Sequence, residues 1–191
     1  LYPFFATLAQ LGIKLHQFKD DERGGLLIDD EHDMFLRNTL QCLVDSCDSC
    51  YDEEHNRVVG NVCHMQMIQL RQMSILKKED ICVHDLLGNL CSGEYFSRNT
   101  LRFLVEWDPN SLGQINGIGL LPLHYASCCS SIQSFQSLFE TGIIYYPHKK
   151  GISFLFTKST KRGHTSFQYA CEKYGRDTAM DVVEDTITRY Y

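Results

Sequence analysis

The sequence lacks the features that mark several large classes of protein. No apolar run in its 191 residues approaches the roughly 20 residues that a transmembrane helix needs, so we predict no membrane partner. Positive charge is not in excess, because 18 Lys and Arg are outnumbered by 24 Asp and Glu, and no nucleic-acid partner is predicted. The apolar start, Leu1–Leu15, has neither a basic leader nor a small-residue cleavage site, which argues against a signal peptide.

The motifs of common enzyme classes are also missing. The sequence contains no glycine-rich phosphate loop, no nucleophile elbow and no metalloprotease helix. His124 and Cys128 stand four residues apart on one predicted helix, a spacing that would allow a catalytic Cys–His pair. Both residues are better explained by the repeated motif described below. We therefore predict no catalytic residues, no cofactor and no enzyme activity.

Nine cysteines, an odd number, are scattered through stretches with helical patterning. A scaffold stabilised by disulfides is usually shorter and richer in loops. We therefore expect reduced thiols and an intracellular location, most simply the cytoplasm.

One cysteine pair leaves a metal-regulated alternative open. Cys47 and Cys50 form a Cys-x-x-Cys pair in an acidic turn, with His55, Cys63 and His64 nearby. A structural zinc ion needs four ligands, and adjacent residues on a helix point in different directions. No strand–helix context of the thioredoxin type precedes the pair, which weighs against a redox role. We predict plain reduced thiols and no bound metal at this turn.

The stretch from Asp20 to Glu31 has the length of a calcium-binding loop. Such a loop needs oxygen ligands at positions 1, 3, 5 and 12 and a glycine at position 6. Gly24 at position 5 and Ile28 at position 9 offer no side-chain oxygen. A solvated acidic loop is the better prediction.

The rest of the chain is organised around the stretch Gly119–Ala126, which reads Gly-Leu-Leu-Pro-Leu-His-Tyr-Ala and opens a predicted helix. Degraded copies lie roughly 40 residues to either side, at Ile81–Leu86 and Gly163–Ala170. Each copy is followed, after a short break, by a second predicted helix. A helix pair repeated at this spacing is typical of a solenoid, and solenoids usually bind rather than catalyse.

The middle copy resembles the ankyrin repeat, whose core motif is Gly-x-Thr-Pro-Leu-His-x-Ala. The residues that match the motif in the three copies are His84 in the first, Gly119, Pro122, Leu123, His124 and Ala126 in the second, and Gly163, Thr165 and Ala170 in the third. The resemblance implies an all-α solenoid of helix pairs with β-turn fingers, which binds protein partners through the fingers and the concave surface of the inner helices. It also implies that the motif histidines bond backbone groups of a neighbouring loop.

Elementary physics accounts for several motif positions. Pro122 suits the first turn of a helix, where its missing N–H would be unpaired anyway. Thr165 and Asp80 are helix-capping residues. Gly119 and Gly163 permit a tight turn with positive φ before the helix.

We predict two segments, a helical N-terminal segment at residues 1–75, either a cap or a decayed repeat, and three divergent ankyrin-like repeats at 76–191. The front segment carries the net negative charge, with six Lys and Arg against twelve Asp and Glu. The helices predicted from apolar periodicity and capping signals span residues 1–18, 33–45, 57–73, 81–91, 96–106, 122–128, 132–140, 165–173 and 176–190. Gly142 is predicted to close its helix.

The connection Ile143–Arg162 is longer than a repeat requires. Two β-prone runs flank a Pro- and Gly-containing turn, which predicts an extended hairpin. Five of its last fourteen residues are Lys or Arg. Aromatic residues beside cations suit an interface with an acidic partner, so the predicted partner-binding residues are Tyr145, Tyr146, Lys149 and Lys150. The alternatives are that Phe154 and Phe156 fold back onto the solenoid and that the cations contact the acidic front segment.

These observations favour a non-enzymatic protein–protein interaction module of the ankyrin-repeat type. The alternative is a helical adaptor regulated by a metal or by calcium through residues 1–75.

Overall fold

The computed structural model describes residues 4–29, 37–45, 52–93, 95–160 and 162–191. Within these ranges every regular element is helical, and strand-type pairing is limited to two isolated bridges, Asp29–Asn38 and Lys158–Thr165. The all-α prediction is therefore confirmed. None of the described helices is both long enough and apolar enough to cross a membrane.

The α-helices are numbered in chain order: α1 Phe5–Lys14, α2 Thr39–Val44, α3 Glu53–Gln72, α4 Asp80–Val83, α5 Leu86–Ser92, α6 Arg98–Trp107, α7 Pro122–Cys128, α8 Ile132–Tyr145, α9 Lys149–Ser153, α10 Ser166–Tyr174 and α11 Arg176–Tyr190. Two 3₁₀ segments, Asp20–Gly25 and Pro109–Gly113, lie between them.

Eight of these helices form four pairs, and the pairs stack. α2 packs on α3, α5 on α6, α7 on α8, and α10 on α11. The first members form one row, in which α5 contacts α2 and α7, and α7 contacts α10. In the second row α8 contacts α11, and α3 meets α6 where the Arg71 guanidinium lies 4.3 Å from the centre of the Trp107 ring. The pair α2–α3 thus stacks against the three pairs that follow it.

Side-chain caps start most of the paired helices. Asn38, Ser97, Ser131 and Thr165 each accept a hydrogen bond from a backbone N–H in the first turn of α2, α6, α8 and α10. Such a cap contributes about 1 kcal/mol to helix stability. α7 starts instead with Pro122 at its first position, as predicted.

One hydrophobic core runs through the stack. Its buried side chains include Leu40 and Met67 in the first pair, and Phe135 and Phe139 in α8. The core does not break at residue 75, because Ile75 and its neighbour Leu76 are both buried. Burial of each large apolar side chain stabilises the fold by about 1.5–3 kcal/mol, so the two predicted segments share one source of stability.

A buried ion pair joins the front segment to α4, the short helix that precedes the second helix pair. The guanidinium of Arg23, in the first 3₁₀ segment, donates to the carboxylate of Asp80 and, at 3.1 Å, to the carbonyl oxygen of Ile75. The Asp80 side chain is only 3% exposed. Arg23 has φ 47°, a left-handed conformation that is unusual outside glycine.

Two of the predicted helices match the structure residue for residue, namely 122–128 and 176–190. Others differ at their ends. α1 spans Phe5–Lys14 of the predicted 1–18, of which residues 1–3 lie outside the described residues, and the predicted helix 81–91 is divided at Asp85, whose φ of 47° is left-handed. Of the predicted helix 33–45, residues 33–36 lie outside the described residues.

The predicted hairpin at 143–162 is wrong, and so is the predicted end of its preceding helix at Gly142. α8 continues to Tyr145, and the short helix α9 follows it. Ile143 is 3% exposed and continues the buried stripe of Phe135 and Phe139 by one more helical turn, so packing overrides the β propensity of this run.

The rest of this connection folds back onto the stack. Phe154 and Leu155 are buried, whereas Phe156 is 60% exposed. The lack of a side chain at Gly142 leaves room for the Phe154 ring, because a Cβ added at Gly142 would lie 3.2 Å from that ring. The alternative that aromatic residues cover the stack therefore holds for Phe154 and fails for Phe156.

Candidate functional site

A single type of hydrogen bond marks the start of three of the four helix pairs and of the short helix α4, which precedes the remaining pair. In each case a side chain accepts from the backbone N–H three residues earlier in the chain. The four acceptors are Gln41, Asp80, His124 and Gln168, whose donors are the N–H groups of Asn38, Lys77, Leu121 and Thr165, at distances of 2.7–2.9 Å. Gln41, His124 and Gln168 occupy the third position of α2, α7 and α10, whereas Asp80 is the first residue of α4.

His124 is almost completely buried, with 1% of its surface exposed. Its Nδ1 accepts from Leu121 N at 2.9 Å, so the proton is on Nε2, which donates to the carbonyl oxygen of Thr157 at 3.0 Å. Burial lowers the pKa of His124 below its ordinary value. Both ring nitrogens are occupied, which leaves this side chain no capacity for proton transfer to Cys128.

His84 makes a different set of contacts. Its Nδ1 accepts from the side-chain amide of Asn38 at 3.2 Å, and its carbonyl oxygen accepts from Gln41 at 3.1 Å and Asn89 at 3.2 Å. It therefore connects backwards to the start of α2, whereas His124 connects forwards to the segment before α10. The helix-start bond in this part of the chain is made by Asp80, the first residue of α4.

A tight turn at 116–120 precedes α7. Asn116 organises it: its amide nitrogen donates to Asp85 at 2.6 Å and to the Tyr125 hydroxyl at 2.9 Å, and its Oδ1 accepts from Leu120 N at 3.0 Å. Gly119 has the positive φ, 84°, that its position in the motif predicts. Burial raises the pKa of Asp85 above its usual range.

A second turn, described at residues 158–160 and 162–165, precedes α10 in the same way. Gly163 has a φ of 67°, and its N–H donates to Ser159 O at 3.0 Å. The two turns touch, because Thr160 N donates to Gly119 O at 3.1 Å. They therefore stand side by side at the same edge of the stack.

Between these turns and the first-row helices α7 and α10 lies a cleft of about 490 Å³, called here the turn-side cleft. Its lining includes Leu120, Tyr125, Cys129, Arg162, Tyr169 and Lys173. Aromatic surface and two cations thus share one concavity.

Ser130, just beyond α7, holds the walls of the cleft together. Its hydroxyl donates to Cys91 O at 2.9 Å, in α5, and its carbonyl oxygen accepts from Lys173 at 2.6 Å and the Tyr174 hydroxyl at 2.5 Å, in α10. Three consecutive helix pairs therefore meet at this residue, which fixes the shape of the cleft.

The four predicted partner-binding residues do not form one surface. Tyr145 lines a groove of about 360 Å³ between α6 and α8. Tyr146 faces the other way: its hydroxyl donates to Pro109 O at 3.1 Å, and the Lys150 ammonium lies 4.0 Å from the centre of its ring. Lys149 and Lys150 are exposed on α9. Their identity as a partner site stays a prediction.

The candidate metal sites lie only partly within the residues that the structure describes. Cys47 and Cys50 lie outside the described residues, as does Glu31 at the end of the possible calcium loop. In the described ranges no group of three or more His, Cys, Asp or Glu side chains is arranged to hold a metal ion. The described cysteines are all free thiols.

Sequence reasoning missed Gln41 as a residue that makes the same helix-start bond as the motif histidine His124. The available signal was a helix start with an acceptor side chain three residues later, the capping-box pattern. It also missed Asn116, because a hub of side-chain bonds between distant residues leaves no local pattern. Comparison with protein-family models, curated proteins and solved structures finds no match to this chain.

Proposed function

We propose that this chain is a non-enzymatic protein-interaction module built from divergent ankyrin-type repeats. The observation that carries the proposal is the stack of four helix pairs, in three of which the helix-start bond recurs through Gln41, His124 and Gln168. Repeated pairs that contact mainly their neighbours produce an extended surface, and extended surfaces of this kind serve binding.

The turn-side cleft is the docking surface that we favour. It combines Tyr125 and Tyr169 with Arg162 and Lys173, and aromatic residues beside cations are enriched in binding hot spots. The partner that fits this lining is a protein segment with an acidic side chain next to an apolar one, because the acid complements Arg162 and the apolar group covers Leu120.

The end of α8 with α9 is a second proposed surface. Lys149 and Lys150 are exposed there beside the half-buried Tyr146. Because Tyr146 is bonded to Pro109, its ring is held in place and would lose little conformational freedom on binding.

Single charge reversals separate the two surfaces. Arg162→Glu and Lys149→Glu each exchange one exposed cation for one anion on a different surface, so they are matched in charge. Bait protein of each variant and of the wild type would be used to capture partners from the native cell, with chemical cross-linking to locate the contact. Loss of a partner with Arg162→Glu but not with Lys149→Glu supports the cleft, and the reverse supports α9.

Failure of the proposal is equally measurable. If folded wild-type protein captures nothing beyond what heat-unfolded bait captures, the binding function is contradicted. If cross-links of the captured partner map only to the second row of helices, the binding function stands and both proposed surfaces are wrong.

A further inference from the structure

Two adjacent cysteines lie in the turn-side cleft at the end of α7. The sulfur atoms of Cys128 and Cys129 are 3.3 Å apart, within hydrogen-bonding distance for thiols. Cys129 is exposed and Cys128 is half-buried. Cys129 follows the last residue of α7 and lies outside the motif stretch Gly119–Ala126, so the motif does not account for it.

The surroundings of Cys129 favour a thiolate. The hydrogen bond from Cys128 and the ammonium charge of Lys173 both lower the pKa of Cys129, against the effect of partial burial. Other described thiols shift the opposite way: burial and the Asp108 carboxylate raise the pKa of Cys82 to about 11, and burial raises that of Cys171. Among these thiols, nucleophilic character is therefore concentrated at Cys129.

The charged side chains that line the cleft favour anionic molecules near the Cys129 sulfur. Arg162 and Lys173 line it, against a single acidic side chain in the lining, Glu172. An anionic reagent is attracted to this lining and a cationic one is repelled. Its volume of about 490 Å³ is large enough for a small molecule.

We propose that Cys129 is a thiol–disulfide exchange site for small disulfides that carry carboxylates, with Cys128 as the hydrogen-bond donor to its sulfur. The Cys129 thiolate attacks one sulfur of the small disulfide, and a new sulfur–sulfur bond forms as the old one breaks. The other half leaves as a thiolate, which takes a proton from water. Cys129 is thereby oxidised, and the leaving half of the small disulfide is reduced.

The mixed disulfide is the product that accumulates. Adjacent Cα atoms are about 3.8 Å apart, below the usual range of about 4.4–6.8 Å for a disulfide. A bond between Cys128 and Cys129 would therefore be strained and easily reduced. This inference is independent of the proposed protein-binding function, because the reaction is measured on the isolated chain.

The test compares two small disulfides of opposite charge, oxidised glutathione and cystamine, on the full chain at low ionic strength and pH 7. Peptide mapping by mass spectrometry gives the rate of modification of each thiol. We expect Cys129 to react on the order of tenfold faster than Cys171, and faster with glutathione than with cystamine. Equal rates at Cys129 and Cys171 would overturn the proposal.

Three variants refine the result. Cys128→Ala removes the donor and is expected to slow Cys129 severalfold, whereas Cys128→Ser keeps a hydroxyl donor and is expected to stay closer to wild type. Arg162→Glu is expected to shrink or reverse the preference for glutathione without changing the fold. A preference for glutathione that survives Arg162→Glu, or a Cys129 rate that is the same in Cys128→Ala and wild type, counts against the assigned roles.

Discussion

Nε2 of His124 lies 3.0 Å from the carbonyl oxygen of Thr157, and this bond ties α7 to the segment that leads into the next helix pair. The same ring accepts from Leu121 N. One buried side chain therefore pairs two backbone groups that would otherwise lose their partners. The role is structural, and it follows from the position of both ring nitrogens.

His124→Ala should lower the free energy of unfolding by about 1–3 kcal/mol, because it leaves these buried backbone groups without partners. Urea denaturation followed by circular dichroism measures the loss. His84→Ala is the matched control and should cost less, since the His84 ring makes one bond, to Asn38, and is only half-buried. An unchanged midpoint for His124→Ala would contradict the assignment of the repeat.

The stability of the protein should fall as the pH drops below about 6.5. Burial lowers the pKa of His124, and also those of His64 and His84, so the unfolded chain binds protons at a higher pH than the folded chain does. The stabilisation is therefore complete above pH 6.5 and is lost below it, by at most about 1.4 kcal/mol per pH unit for each histidine.

His124→Gln isolates the contribution of His124. Gln168 shows that glutamine can make the helix-start bond, so the variant keeps that contact. Its unfolding free energy should depend less on pH between 7.5 and 5.5 than that of the wild type. If the unfolding free energies of the two proteins change with pH in parallel, protonation of His124 does not contribute to the pH dependence.

Three glycines form a graded test of the turns. A Cβ at Gly119, where φ is 84°, would lie 1.5 Å from Thr160 Oγ1, whereas Gly163 has a positive φ with open space around it, and Gly117 has neither constraint. Replacement by Ala should cost on the order of 3 kcal/mol at Gly119, about 1 at Gly163 and under about 0.5 at Gly117. Thermal unfolding of the three variants measures this order, and any other order would contradict the turn geometry.

The Arg23–Asp80 pair should be important for joining the front segment to the stack. Arg23→Met leaves the buried Asp80 carboxylate with the Lys77 N–H as its remaining described donor and should cost about 2–4 kcal/mol. The double variant Arg23→Met/Asp80→Asn should recover part of that loss, because no unpaired charge remains. Equal stability of the single and double variants, measured in urea, would mean that the unpaired Asp80 charge is not the cause of the loss.

Cys47 and Cys50 should be dispensable. The double variant Cys47→Ser/Cys50→Ser is expected to keep its thermal midpoint within a few degrees, because the sequence offers this predicted turn no convincing second pair of zinc ligands. Elemental analysis of both proteins checks the metal content. Cys91→Ser, which places a hydroxyl in the core, is the control that should lower the midpoint. Loss of zinc and stability together in the double variant would favour the metal-regulated alternative.

Prediction from the sequence succeeded where the signal is local. The bounds of α7 follow from Pro122 at its start, and those of α11 from a regular apolar stripe beside Gly175. It failed at Ile143, where β propensity and a preceding glycine suggested a turn but the core of α8 extended the helix. The turn-side cleft could not be predicted from the sequence, since it depends on how Ser130 joins three helix pairs that are distant in sequence.

The order of contacts along the stack bears on how the molecule responds to force. Each helix pair makes its larger contacts with the pairs next to it, so a force that pulls the two ends of the chain apart is transmitted from one pair to the next. Under such a force the helix pairs are expected to unfold one after another, and an unfolded pair can refold against its folded neighbour. The rupture force of each step then measures the strength of the contacts between two neighbouring pairs. The contacts between the α7–α8 pair and the α10–α11 pair include the hydrogen bond from His124 to Thr157, in the segment that leads into α10.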